Sequence, residues 1–179
     1  MAAVRAKGVT KLHNCAKEPE IIQLCQFLNS MGAKIEGVGT ENLIIHGVNE
    51  LHPSDIEIIP DRIEAGTFLI AGALLGKLKI NDVIPGHLNK VINKLIDTGC
   101  KIDTTDNSIT VFPSKKIKSV DMTTAVYPGF PTDLQAQWVA LMSLSDSSSI
   151  VKDTVYHDRF SHIPELARLG ANIKIEKNT

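Results

Sequence analysis

Asp133 lies in the stretch AVYPGFPTDLQAQW (125–138), where two prolines and a glycine crowd around Phe130 before a polar, helix-forming run begins. Proline fixes φ and limits the wandering of whatever follows it. A carboxylate held this way can serve two ends. It can complement the helix dipole and accept from free N–H groups of the first turn. It can also accept a hydrogen bond or a proton from a substrate hydroxyl. Arg159, in YHDRF (156–160), carries a planar guanidinium that clamps phosphate or carboxylate through paired hydrogen bonds. The plainer expectation is a surface ion pair with Asp158 or Glu165.

The other reactive side chains point to bland roles. Cys15, Cys25 and Cys100 are odd in number and lack metal-ligand spacing, so reduced thiols in a cytoplasmic protein fit best. Cys25 falls on an apolar helix face and reads as core. His46, His52, His87 and His162 are scattered, so neither a metal site nor a cofactor is expected. GVGT (37–40) is glycine-rich but lacks the P-loop spacing and its lysine.

The bulk composition sets the frame. A chain of 179 residues with 43% apolar and 4% aromatic content builds its core from Ile, Leu and Val. A net charge of -1, with acids and bases interleaved, argues against a nucleic-acid binder. No run of about eighteen apolar residues predicts a membrane span, and the N-terminal MAAVRAKGVTK lacks a signal peptide's hydrophobic stretch.

The elements that must position Asp133 and Arg159 follow from an internal repeat. IIQLCQFLNSMGAKI (21–35), LNKVINKLIDTGCKI (88–102) and HIPELARLGANI (162–173) each place a Leu four residues before a Gly and an Ile three after it. The apolar residues of the first two recur at helical spacing. Gly32, Gly99 and Gly170 then end the helices, because glycine adopts the left-handed conformation at low cost.

An offset of 71 residues aligns Asp61 with Thr132, Glu64 with Gln135, Ile80 with Val151 and Ile102 with Ile173. Asp61-x-x-Glu64 and Thr132-x-x-Gln135 both resemble capping boxes, so a helix is expected to start at each. The unit reads helix, strand, helix, strand, strand. In the middle copy the spacing predicts helices over 62–75 and 87–98 and strands over 77–82, 100–104 and 108–112. A short strand is expected over 171–175. Such units bury their apolar faces only against neighbouring repeats, and the chain is expected to be cut at both ends.

EPEI (18–21), PDRIEAGTF (60–68), FPTDLQAQW (130–138) and TVYHDRFSHIPELARLGA (154–171) resemble the UDP-N-acetylglucosamine 1-carboxyvinyltransferase family, over essentially the whole chain. The resemblance implies an α/β fold, the inside-out α/β barrel of the enolpyruvyl transferases, with helices buried and sheets facing solvent. Here the barrel is expected to be incomplete, with about three helix–strand repeats. Residues 1–59 correspond to the last repeat of one domain. Residues 60–179 correspond to two repeats of the other, the second truncated, and substrates are expected in the cleft between domains.

The implied reaction transfers enolpyruvyl from phosphoenolpyruvate to the 3-hydroxyl of UDP-N-acetylglucosamine and releases phosphate, the first committed step of peptidoglycan precursor synthesis. By the same resemblance Asp133 contacts the sugar hydroxyl, as base or as orienter, and Arg159 belongs to the active-site region. Val155 contacts the nucleotide through its backbone; as plain structure it reads as a buried valine at a strand end. His162 is expected to be structural. Asp61, Arg62 and Glu64 could stabilise a closed cleft, although capping also explains Asp61 and Glu64.

The family's reactive cysteine matches none of the three here, so the chain alone is expected to be inactive. Four alternatives stay open: a split enzyme completed by a polypeptide carrying the missing repeats, a UDP-sugar-binding module, a non-catalytic remnant, and the sister 5-enolpyruvylshikimate 3-phosphate synthase activity.

Overall fold

The computed structural model describes residues 1–156 and 158–179. It divides into two compact units, Met1–Ile59 and Pro60–Thr179.

In the first unit a 3-10 turn over Ala2–Arg5 precedes β1 (Val9–His13), α1 (Pro19–Ser30), β2 (Lys34–Glu36) and β3 (Asn42–His46). The strands form an antiparallel sheet in the order β1-β3-β2. Cys25 and Leu28 of α1 pack with Val4, Ile35, Leu43 and Ile45 in the buried cluster of this unit.

The second unit opens with α2 (Arg62–Leu75), whose N-cap Asp61 accepts from the backbone N–H groups of Ile63 and Glu64 at 2.7 and 3.1 Å. Next come β4 (Leu78–Asn81), a 3-10 turn over Pro85–Leu88, α3 (Asn89–Asp97), β5 (Lys101–Thr104) and β6 (Ser108–Phe112). The sheet order is β4-β6-β5, again antiparallel. In both repeats the last strand in sequence is the middle strand in space.

The remaining elements are β7 (Met122–Thr123), a 3-10 turn over Thr132–Leu134, α4 (Gln135–Met142), β8 (Val151–Lys152) and α5 (Ile163–Arg168). β7 pairs with β8 in parallel. Gly32, Gly99 and Gly170 all adopt positive φ, between 96° and 100°, as helix-ending glycines must.

The core of the second unit is helical. Leu69 of α2, Leu95 of α3 and Trp138 and Leu141 of α4 are fully buried, joined by Ile109 and Val111 from β6. The outer strands β4 and β5 alternate between partly buried and exposed residues or are mostly exposed. Helices inside and sheets outside is the arrangement expected of an inside-out barrel, and the sheets do not close.

Three expectations need correction. The helix expected from residue 87 is a 3-10 turn until Asn89, where α3 begins. Thr132 does not cap its helix: no side-chain capping bond is made there, the first turn is 3-10, and Gln135 is fully buried. The Thr132 hydroxyl is engaged elsewhere, with Asp153 and Arg159. Residues 171–175 form no strand. Their repeat counterpart β5 makes its ladder with β6, and no strand lies beside 171–175 among the described residues.

Glycine permits the tight crossing of α2 over the sheet. A Cβ on Gly72 would lie 2.5 Å from Val111 Cγ1 and 2.8 Å from Leu78 Cβ, inside the range real Cβ atoms occupy. Gly72→Ala is expected to destabilise the chain by roughly 1 kcal/mol or more, because overpacking outweighs the helix-propensity gain of about 1 kcal/mol. Gly86→Ala, whose Cβ meets nothing within 4 Å, is the control and should be near neutral. Urea unfolding of both variants checks the difference.

Candidate functional site

The loop before Asp133 is closed on itself. Thr124 and Phe130 form an isolated parallel bridge, Ala125 N–H donates to the Phe130 carbonyl at 2.9 Å, and Gly129 N–H donates to Val126 at 2.8 Å. The Tyr127–Pro128 peptide is cis. A Cβ at Gly129 would come within 2.5 Å of Ala125 Cβ, so the tight closure needs glycine. Phe130 is fully buried and packs edge-on against Trp138 of α4, ring centroids 5.4 Å apart. An aromatic anchor thus fixes the loop to the helix that it leads into.

Asp133 follows in the 3-10 turn. Its Oδ1 accepts from Arg159 Nη2 at 2.8 Å. This replaces the expected helix cap for Asp133, and it replaces the expected partners of Arg159. Glu165 is taken by Arg168 at 2.8 Å. Arg159 also donates through Nη1 to Thr132 Oγ1 at 3.2 Å and lies over the Tyr156 ring, 5.3 Å from its centroid. The Asp133 and Arg159 side chains keep 49% and 40% of their surface exposed, so the pair can reach a ligand.

Behind this pair stands Asp153, which sequence reasoning missed. It has no exposed surface. Its Oδ1 accepts from Thr124 Oγ1 at 2.7 Å and from the N–H groups of Val155 and Tyr156 at 2.9 and 2.8 Å. Its Oδ2 accepts from Thr132 Oγ1 at 2.7 Å. Burial pushes the carboxyl up, but the donors Tyr156, Thr132, Thr124 and Val155 together outweigh it and hold Asp153 below the usual carboxylate range. A continuous path therefore runs Asp153–Thr132–Arg159–Asp133. The repeat offered no signal for it: Asp82, 71 residues earlier, is exposed and sits at a φ of 54°.

Val155 departs from its plain reading. It lies beyond β8 in a bend, 37% exposed, with its N–H given to Asp153. His162 stacks against Phe160 with centroids 6.4 Å apart. Burial and the Arg159 charge favour its neutral form and lower its pKa. Arg62 lies over the Tyr127 ring, 5.5 Å from its centroid. Cys25 and Cys100 are buried, and burial raises the Cys25 thiol, with the N-terminal charge opposing. Among the described residues no three His, Cys, Asp or Glu side chains are placed to hold a metal ion, and no helix is long and apolar enough to cross a membrane.

A family model described as EPSP synthase (3-phosphoshikimate 1-carboxyvinyltransferase) matches residues 1–179. The chain is 51% identical over 181 residues to UDP-N-acetylglucosamine 1-carboxyvinyltransferase of Helicobacter pylori (strain HPAG1), covering 99% of this chain and 43% of that protein. It is also 51% identical to the protein of that name from Chlorobium luteolum (strain DSM 273 / BCRC 81028 / 2530), over 99% of this chain and 42% of the relative. The chain thus spans less than half the length of these relatives. Among solved structures, the enolpyruvyl transferase NikO of Streptomyces tendae superposes with a TM-score of 0.86 at 29% identity, covering 98% of this chain and 42% of that one. An EPSP synthase from Acinetobacter baumannii superposes at 0.59 with 15% identity, over 93% of this chain and 39% of the other, which supports the fold alone.

Asp153 makes a testable electrostatic demand. A carboxylate with a lowered folded pKa adds stability that is complete above the unfolded value, about 3.9, and is lost as pH falls through the folded value. Asp153→Asn should cost roughly 2 kcal/mol at neutral pH, and the gap to wild type should narrow in acid. Urea unfolding between neutral pH and about pH 3 measures both curves. His162 is present in both proteins and cancels. Curves that stay parallel throughout would show that Asp153 is not an ionised hub.

Proposed function

We propose, since the chain belongs to the EPSP synthase (3-phosphoshikimate 1-carboxyvinyltransferase) family, that it serves enolpyruvyl transfer from phosphoenolpyruvate to the 3-hydroxyl of UDP-N-acetylglucosamine, the first committed step of peptidoglycan precursor synthesis. The observation that carries this choice of acceptor is the 51% identity to transferases named for that sugar nucleotide, against 15% to an EPSP synthase of known structure.

In this reading the hydroxyl oxygen bonds to the phosphate-bearing carbon of phosphoenolpyruvate. The methylene carbon takes up a proton, then gives one back as phosphate leaves. Asp133 meets the acceptor hydroxyl. Its Oδ1 is engaged by Arg159, and Oδ2 faces the hydroxyl as the accepting atom. A carboxylate fixed by a guanidinium suits orienting the nucleophile, which converts loose encounter into reactive geometry. Val155 contacts the nucleotide through its carbonyl, since its N–H belongs to Asp153.

The relatives devote more than half of their length to segments that this chain does not match. The groups that protonate phosphoenolpyruvate and neutralise its phosphate are assigned to those segments. The 179 residues therefore supply the hydroxyl-binding side, and turnover needs a polypeptide carrying the remainder. Electrostatic stabilisation of developing charge is often the largest catalytic contribution, so the chain alone should not turn over.

The test is phosphate release from phosphoenolpyruvate with UDP-N-acetylglucosamine, by the chain alone and then with the missing segments supplied. Activity is expected only after mixing. Asp133→Ala should remove it, and Arg159→Lys should lower kcat at least about tenfold, because a point charge cannot hold Asp133 and Thr132 in one plane. Turnover by the lone chain overturns the division of labour. Turnover with shikimate 3-phosphate instead assigns the sister activity. Binding of UDP-N-acetylglucosamine without turnover in any mixture leaves a sugar-nucleotide-binding module.

A further inference from the structure

We infer that residues 52–59 form a strap that opens from the first unit as one piece, and that Gln23 is its latch. The inference concerns the first unit alone and is independent of the reaction proposed above.

The segment LHPSDIEII (51–59) contains neither helix nor strand, yet it is fastened along α1 at three points. At the end of the helix, His52 N–H donates to the Met31 carbonyl at 2.9 Å. The His52 ring lies there against Gly32, where a Cβ would come within 3.1 Å of Nε2. Next, Ser54 Oγ donates to Ser30 Oγ at 2.8 Å, and Ser30 Oγ donates on to the Phe27 carbonyl. Nearer the start of α1, the Gln23 amide holds the far end. Its Nε2 donates to the Glu57 carbonyl at 2.8 Å, and its Oε1 accepts from Ile59 N–H at 3.2 Å. The strap thus runs antiparallel to α1. One side-chain amide makes the two bonds, on either side of Ile58, that a neighbouring strand would otherwise make.

Helix geometry shows that the strap can leave without opening the core. Gln23 and Ser30 are seven residues apart and share one stripe of α1. Cys25 and Leu28, the buried residues in the middle of that helix, lie roughly half a turn round from the stripe. The strap therefore covers the face of α1 that points away from the cluster of Val4, Ile35, Leu43 and Ile45. Apolar packing does little to hold it. Leu51, at its root, packs against that cluster, but Ile58 is 72% exposed, and His52, Pro53, Asp55 and Glu57 are exposed as well.

A segment held by exposed hydrogen bonds over little buried apolar surface opens at a lower free energy than the core beneath it. Gln23 supplies two of the four bonds that join the strap to α1, both at the end farthest from the Leu51 root. Closed, the strap delivers the chain to Pro60 from a fixed point on α1. Open, residues 53–59 become a free tether of roughly 25 Å when extended. The Gln23 amide thus sets how much free chain leads into Pro60.

The test is native-state hydrogen exchange on the 179-residue protein. As urea is raised below the unfolding transition, the His52 and Ile59 amides should follow one common curve, exchanging well before the amides of β3. Gln23→Leu keeps the helix and the length of the side chain but removes the amide. It should speed exchange at Ile59 at least about tenfold, speed His52 with it, and leave β3 unchanged. Cleavage after Glu57 by a glutamate-specific protease should accelerate by a similar factor. Separate curves for His52 and Ile59 in the wild type overturn the inference without any variant. In Gln23→Leu, acceleration of Ile59 alone makes Gln23 a local contact and overturns it. Acceleration of β3 as well, or no change at either strap amide, also overturns it.

Discussion

Asp153 holds a carboxylate charge with no exposed surface, and that is tolerable only because four donors converge on it. An ionised group taken out of water costs several kcal/mol unless hydrogen bonds replace its hydration. The four donors come from three separate places in the chain: Thr124 just past β7, Thr132 in the 3-10 turn before α4, and the backbone just beyond β8. One charge therefore sets the relative position of the elements that frame the site. The Thr132 hydroxyl donates its hydrogen bond to Asp153, which turns its lone pairs toward Arg159, and the guanidinium then has a defined direction in which to hold Asp133.

The second requirement is a rigid base for that network. Helices lie inside and sheets outside, so the helices must approach one another and the sheet closely. Gly66 lets α2 meet Leu134, and Gly72 lets it meet the sheet. Phe130 and Trp138 lock the proline loop to α4. The exposed residues Asp133 and Arg159 thus stand on buried aromatic packing, which explains how a half-exposed ion pair can keep one geometry. Exposed ion pairs by themselves contribute about 0–1 kcal/mol, so packing and the Asp153 network, not the pair's own attraction, maintain the arrangement.

Periodicity made most of the fold legible. The middle repeat was readable almost to the residue because α3 is amphipathic, its strands are short and β-prone, and Asp61 and glycine mark the boundaries of the apolar α2 and of α3. What failed was long-range. The start of α4 carries the letters of a capping box, yet Thr132 spends its hydroxyl on a residue 21 positions away. Residues 171–175 have strand-like alternation, but a strand exists only with a ladder partner. Asp133 and Arg159 were each singled out as candidates, whereas their mutual contact and the burial of Asp153 behind them were not legible. Nothing local marks an acid that will be buried by hydroxyls from two other elements.

The repeat itself shows how one copy departs from another within a symmetrical fold. Asp61 and Thr132 occupy equivalent positions, and so do Asp82 and Asp153. In the first of these copies Asp61 satisfies its own helix and Asp82 is exposed at a turn. In the second, the cap has become a threonine, the helix start has loosened into a 3-10 turn, and the turn acid has moved inside to receive the freed hydroxyl. The local helix start is weaker by about the value of one cap, on the order of 1 kcal/mol, and four hydrogen bonds to a charge offset that loss. The exchange converts a self-contained secondary-structure signal into a tertiary one, and Arg159 and Asp133 are positioned as a consequence.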